Sequence, residues 1–213
     1  MTFSEFKKSV SKIEKIDRIG EKAHLEMVPE FRHKELERAP LEKANPKQAA
    51  VLALFYPDKT EETHLVLILR KTYKGVHSAQ IGFPGGRVEK TDKNLEETAI
   101  RETFEEIGVR PEQIQILKEL TEIYIPPSNF WVQPFLGISE NTPDFIRQET
   151  EVEEILEIKL TDFLDHSNLI TKKLSTSYAQ NVSVPAFLLN NHVVWGATAM
   201  MLSEIKLMLN KVL

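Results

Sequence analysis

A chain of 213 residues, with 41% hydrophobic and 28% charged side chains, is long enough to bury a sizeable core and is neither collagen-like nor largely disordered. Its formal net charge of -5 argues against a nucleic-acid partner, because phosphate backbones recruit clustered positive charge. Cysteine is absent, which excludes disulfides and thiolate chemistry and favours a cytoplasmic location.

The first residues predict a helix. Four apolar side chains recur there at helical spacing: Phe3, Phe6, Val10 and Ile13. We expect this face to pack on the rest of the protein, so residues 1–35 form an N-terminal helical segment and 36–213 form the main domain. No apolar run approaches the length that spans a bilayer, and we expect no membrane partner.

Strand-like apolar runs follow along the chain, separated by turns that contain proline, glycine or asparagine. They are Ala49 to Tyr56, His64 to Leu69, Ile114 to Ile125, Trp131 to Ile138, Glu151 to Ile158 and Val182 to Leu189. The first two are predicted to pair with each other. A closing helix is predicted from Ala197 to Leu209, and strands surrounding a few helices indicate an α+β or mixed layered architecture.

A central helix is predicted between Leu95 and Ile107, where apolar residues recur at helical spacing. Asn94 is suited to cap its start, and Glu97 stands three residues later in a capping-box arrangement. Gly108 is expected to end the helix.

Three glutamates of this helix share one side: Glu102, Glu105 and Glu106 fall within an arc of roughly 100°. Their charges repel each other, and a divalent cation such as magnesium would offset that repulsion through hard oxygen ligands. The alternative is a solvated acidic face. The upstream segment FPGG, Phe83 to Gly86, favours the cation, because adjacent glycines let the backbone approach a ligand.

This arrangement resembles the Nudix box: Gly86 is followed after five residues by Asp92, and after eight more by RETFEEIGV, Arg101 to Val109. The family pattern has glutamate in place of Asp92, one residue fewer before the arginine, and an aliphatic residue in place of Thr103. The resemblance implies a Nudix-type α/β/α sandwich with a mixed β-sheet between helices. We assign the metal site to the glutamates and give Asp92 no role in it.

The resemblance also implies roles for individual residues. Glu102 and Glu106 would be the principal ligands of Mg²⁺ or Mn²⁺, Glu105 would contribute to a second ion, and the Gly86 carbonyl would complete the site. Arg101 would orient Glu102 or its neighbour through an ion pair; the alternative is a surface arginine.

The segment before the box, Leu67 to Gly86, resembles the signature of the coenzyme A pyrophosphatase subfamily, although Ala79 replaces a glycine there. Similar blocks appear at Ile125 to Gly137 and Val193 to Leu202. Coenzyme A has several phosphates, an adenine and a pantetheine arm, so its site needs cations and apolar surface. The candidate substrate-binding residues are Arg70, Lys71, Lys74, His77, Gln80 and Phe130. The alternative for Lys71 and Lys74 is ordinary solvent-exposed lysine, for His77 a structural hydrogen-bond donor, and for Phe130 a core position.

The expected reaction is attack of a metal-activated water on the diphosphate of coenzyme A or an acyl derivative, which yields 3',5'-ADP and the 4'-phosphopantetheine arm. Glu151 is our candidate for the general base, and Glu102 is the alternative. Two other functions stay open: a Nudix hydrolase of ADP-ribose or NADH, and a non-catalytic nucleotide sensor. We expect a small-molecule nucleotide substrate and a monomer or homodimer.

Overall fold

A computed structural model of the protein describes residues 1–29, 45–71, 80–174 and 182–213. Its α-helices are α1 (Phe3–Val10), α2 (Gly20–Glu26), α3 (Leu95–Ile107), α4 (Leu160–Leu164) and α5 (Ala197–Leu209). Its strands are β1 (Lys47–Pro57), β2 (Thr63–Arg70), β3 (Ile81–Gly82), β4 (Gly85–Arg87), β5 (Gln115–Glu119), β6 (Ile123–Ile125), β7 (Phe130–Ile138), β8 (Val152–Lys159), β9 (Leu169–Leu174), β10 (Val182–Leu189) and β11 (His192–Val194). No helix in these ranges is long and apolar enough to cross a membrane.

A mixed sheet forms the centre of the described structure. Strand β1 runs parallel to β7 and antiparallel to β2, and the main strand order is β3-β2-β1-β7-β5. Strands β4, β6 and β8 add to this sheet by pairing with β1, β7 and β2, respectively. Strands β9, β10 and β11 form a separate antiparallel sheet.

Helices cover both faces of the mixed sheet. Alternate residues of β1 point to opposite faces, so Leu52 and Leu54 pack with Ala99 of α3 on one side. On the other side Phe55 packs with Phe6 of α1, their ring centroids 5.0 Å apart, in a core that also includes residues of α5. The layers are therefore helix, sheet and helix, which confirms the α+β sandwich predicted from the sequence.

Most predicted elements are confirmed, and one prediction of a strand is wrong. The run Ile114 to Ile125 divides into β5 and β6, which both pair antiparallel with β7 and are separated where the Leu120 carbonyl accepts from the Gln133 side chain. The sequence also failed to indicate β9, whose side chains are mostly exposed and therefore leave no apolar pattern.

The N-terminal segment packs on the domain through buried Phe3, Phe6 and Val10. Helix α2 is held by buried His24, whose ring nitrogen lies 3.3 Å from the Glu204 carboxylate of α5. That carboxylate also accepts from the hydroxyl of Thr121, which ties the segment to the residues between β5 and β6. The domain boundary predicted between residues 35 and 36 falls outside the described residues.

Candidate active site

Helix α3 carries the acidic cluster, and its ends follow the sequence closely. The Asn94 side chain accepts a hydrogen bond from the Glu97 amide at 2.8 Å, and Gly108 ends the helix in the left-handed conformation with φ of 78°. The predicted capping box forms only in part. The Glu97 carboxylate accepts from the Lys93 amide instead of the Asn94 amide, because Asn94 is fully extended and its amide faces elsewhere.

Arg101 connects the acidic groups at the middle of the helix. Its guanidinium donates to Asp92 at 2.9 and 3.0 Å, to Glu102 at 2.9 Å and to Glu105 at 3.0 Å. It also donates to the Arg87 carbonyl at 3.1 Å, which fixes the helix against β4. The predicted ion pair with Glu102 is thus one of several that hold this arginine.

Asp92 has a structural role at this site that was not predicted from the sequence: it binds Arg101. Its side chain is only 4% exposed and accepts from the Glu89 amide and the Thr98 hydroxyl, in addition to Arg101. These hydrogen bonds, above all those from Arg101, hold the pKa of Asp92 well below its usual range. Asp92 is therefore the buried anion that positions Arg101, and the signal that could have indicated this is the presence of an acid where the Nudix pattern has a glutamate.

Glu106 is the most deeply buried acid of the cluster, with a side chain 1% exposed. One carboxylate oxygen, Oε2, accepts from the Gly85 amide at 2.8 Å. The other, Oε1, lies 3.1 Å from the Arg70 guanidinium but makes no hydrogen bond among the described residues. Burial raises the pKa of Glu106 to about 7, and the nearby charges of Glu102 and Glu151 act in the same direction.

Two glycines of the FPGG segment make room for these carboxylates. A Cβ on Gly86 would lie 2.4 Å from Cδ of Glu102, so only glycine lets that carboxylate rest against β4. Gly85 has φ of 149°, and a Cβ there would lie 2.4 Å from the Ala50 carbonyl oxygen. Burial also raises the pKa of Glu102, because its charged form loses solvent at this contact.

The other predicted acidic residues lie at the rim of the cluster. Glu105 has a side chain 53% exposed and contacts Arg101. Glu151 is exposed at the turn before β8, and its carbonyl accepts from the Lys71 amide at 2.8 Å. The Lys71 ammonium lies 3.6 Å from the carboxylate of Glu153 and forms an ion pair with it.

The remaining substrate-binding candidates are spread over two places. The Gln80 carbonyl accepts from the Arg70 amide at 3.0 Å, so both residues lie at the end of β2. Phe130 is half-buried at the start of β7, away from the end of β2. Lys74 and His77 lie outside the described residues.

The carboxylate cluster fits a divalent cation chemically. In the ranges that the structure describes, no three acidic or histidine side chains converge into a ready-made ligand set, and Glu102 and Glu106 are paired with Arg101 and Arg70, respectively. The buried Oε1 atom of Glu106 nevertheless has no hydrogen bond from the residues that the structure describes, and its neighbours Glu102 and Glu151 are acidic. A hard cation, which takes oxygen ligands, would give this oxygen a partner and would offset the repulsion among the carboxylates.

A mixed sheet between helices carries a buried acidic cluster against a glycine pair, an arrangement suited to an enzyme that binds phosphate compounds through a divalent cation. The sequence profile of the NUDIX domain matches residues 46–176, and the chain belongs to the Nudix hydrolase family. Enzymes of this family generally depend on divalent metal ions and act on pyrophosphate bonds.

Individual relatives agree with this assignment. Nudix hydrolase NudL of Pectobacterium atrosepticum is 31% identical over 170 residues, which cover 77% of this chain and 83% of that protein. Human mitochondrial coenzyme A diphosphatase NUDT8 is 28% identical over 158 residues, which cover 74% of this chain and 67% of that protein. The fold is similar to the crystal structure of a MutT/nudix family protein from Enterococcus faecalis, with a TM-score of 0.50. That match covers 89% of this chain and 73% of the other at 18% sequence identity.

Proposed function

We propose that this enzyme is a coenzyme A diphosphatase, which cleaves coenzyme A or an acyl-coenzyme A into 3',5'-ADP and 4'-phosphopantetheine or its acyl form. The similarity to human NUDT8 over 74% of the chain supports this substrate class. The resemblance of the segment from Leu67 to Gly86 to the coenzyme A pyrophosphatase signature supports it independently of the catalytic helix, because specificity and chemistry reside in separate parts of a fold.

The observation that carries the hydrolytic chemistry is the buried oxygen Oε1 of Glu106, which has no hydrogen bond among the described residues. We assign Glu102 and Glu106 as the principal ligands of Mg²⁺ or Mn²⁺, with Glu105 and the Gly86 carbonyl beside them. When bound, the ion neutralises the charge of the diphosphate and lowers the pKa of a water molecule at the site.

The arginines of the site position its charged groups. Arg101 is held by buried Asp92 and directs its remaining hydrogen bonds to Glu102 and Glu105, so it fixes the direction of the Glu102 carboxylate. Arg70 lies between Glu106 and the Gly85 carbonyl, and its side chain is 26% exposed. Its guanidinium is therefore accessible to diphosphate oxygens, which it would bind with charge-assisted hydrogen bonds.

A carboxylate must take the proton of the attacking water. We assign this role to Glu151, which is exposed and lies close enough to raise the pKa of both Glu102 and Glu106. The Lys71 amide donates to its carbonyl at 2.8 Å, which holds its backbone at the end of β2 and supports this assignment. As water adds to phosphorus and the bridging oxygen leaves, a Glu151 oxygen receives the water proton.

The experiment is a product analysis by mass spectrometry after incubation of the protein with coenzyme A and Mg²⁺ or Mn²⁺. We expect 3',5'-ADP and 4'-phosphopantetheine in equal amounts, no reaction after exhaustive chelation, and no reaction of the Glu106→Gln variant. Full activity without a divalent ion would refute the metal assignment, and an intact coenzyme A pool would refute the substrate assignment.

A further inference from the structure

Lys47 and Phe130 form a small, fixed surface outside the carboxylate cluster. They are the first residues of the parallel strands β1 and β7 and lie directly opposite each other. The Lys47 ammonium lies 5.6 Å from the centre of the Phe130 ring, where the face of the ring attracts a cation. The Lys47 amide donates to the Asn129 carbonyl at 2.9 Å, which fixes the backbone of this pair.

The turn before Phe130 is itself well held. Asn129 adopts the left-handed conformation with φ of 55°, and its side chain accepts from the Tyr124 hydroxyl at 2.8 Å. The Tyr124 ring packs against Trp131 with 5.3 Å between centroids. The strands on either side of this turn, β6 and β7, pair with each other, and Phe130 lies opposite Ile125. The backbone of Phe130 is therefore held in one position.

A second cation lies beside Lys47. Arg87 on β4 is opposite Ala49, two residues along β1 from Lys47, so both side chains start from the same face of the sheet. Such diagonal neighbours are about 7–8 Å apart. Both side chains are exposed, and neither makes an ion pair with a carboxylate of the described residues, Glu89 included. Two adjacent like charges without an anion between them suit an anionic ligand.

This cationic pair is near the acidic cluster but does not belong to it. Lys47 precedes Ala50 by three residues, and Ala50 lies opposite Gly86, whose Cα faces the Glu102 carboxylate. Three strand residues span about 10 Å. Lys47 is the first residue of β1 and therefore lies at the end of its strand, on the face that carries Phe130.

We propose that Lys47, assisted by Arg87, binds the 3'-phosphate on the ribose of the substrate, while Phe130 supports the adenosine. The inference rests on the proposed function, since the ribose of coenzyme A carries this phosphate in addition to its diphosphate. Both phosphate groups are attached to one sugar, and Lys47 lies three residues along β1 from Ala50, which pairs with Gly86 beside the Glu102 carboxylate. Lys47 is thus a residue that determines specificity and takes no part in the chemical step.

The test compares kcat/KM for coenzyme A and for 3'-dephospho-coenzyme A. Lys47→Gln should lower kcat/KM for coenzyme A about tenfold or more, as expected for the loss of one charge-assisted contact, and leave the value for the dephospho compound unchanged. Lys47→Arg should restore the preference because it restores the charge. Lys172→Gln, which removes an exposed lysine from β9, is the matched control and should behave as the wild type.

An unchanged ratio of the two substrates in Lys47→Gln would overturn the inference, and so would a wild-type enzyme that cleaves both equally well. If the wild type cleaves neither compound, the proposed function is wrong, and calorimetry of 3',5'-ADP and 5'-AMP decides the role of Lys47 separately. Selective weakening of 3',5'-ADP binding in Lys47→Gln supports the phosphate site, and equal affinities of wild type and variant refute it.

Discussion

Replacing Glu106 by glutamine removes a charge that the fold buries without a full set of partners. The pKa of Glu106 rises from 4.5 to about 7 in the folded protein, a difference that corresponds to roughly 3 kcal/mol of folding free energy. The folded state keeps a proton that the unfolded chain releases above pH 4.5. Stability from this group is therefore present at low pH and is lost as the pH rises from about 4.5 to about 7.

The assay is urea unfolding of wild type and Glu106→Gln in the presence of a chelator at pH 5 and pH 8. We expect the variant to gain up to roughly 3 kcal/mol relative to the wild type between the two pH values, because it has no proton to lose. Asp92 and Glu204, whose pKa values are lowered, titrate below this window and are common to both proteins. Added Mg²⁺ at pH 8 should stabilise the wild type and not the variant.

Glu112→Gln, which removes an exposed carboxylate elsewhere, is the matched control and should follow the wild type at both pH values. If Glu106→Gln and the wild type lose stability in parallel between pH 5 and pH 8, the burial argument fails. Equal stabilisation of both proteins by Mg²⁺ would show that Glu106 is not a ligand.

Three further variants test other parts of the site. Gly86→Ala should reduce turnover at least tenfold, because the new Cβ displaces the Glu102 carboxylate. The loss of stability in thermal melting should be small, since only the flexible end of that side chain moves. Unchanged turnover would contradict the close contact. Asp92→Asn should lower kcat with little change in KM, because it frees Arg101 to turn away from Glu102, and a normal kcat would refute the positioning role. Glu151→Gln should lower the single-turnover rate by roughly 10²–10⁴-fold with metal affinity retained, whereas Glu102→Gln should lower both the rate and the metal affinity. Normal catalysis by Glu151→Gln would mean that another acid is the general base.

The sequence predicted the helix and its glutamates well because the determinants are local. Asn94 and Gly108 mark the ends of α3 through capping chemistry that depends only on neighbouring residues. The bounds of the strand from Val182 to Leu189 were predicted correctly, because residues typical of turns flank this apolar run on both sides. By contrast, β9 is exposed and polar, and it forms only because β10 offers it a hydrogen-bonding edge.

The site was less predictable because its contacts join distant segments. Nothing near Asp92 in the sequence shows that its carboxylate is enclosed by Arg101 and Thr98, since that contact depends on how the loop folds over α3. In the same way, no local pattern shows that Glu106 lies against Arg70, 36 residues earlier in the numbering, or that its Oε1 has no hydrogen bond among the described residues. Periodicity reports which residues share a face, and it does not report which polar atoms remain unpaired.

The substrate assignment is tested most directly by kcat/KM values for coenzyme A, ADP-ribose and NADH, measured side by side with Mg²⁺. The arrangement of the cations around the acidic cluster and the similarity to human NUDT8 predict the highest value for coenzyme A. A much higher value for ADP-ribose or NADH would contradict the assignment and leave a Nudix hydrolase of a different nucleoside diphosphate compound.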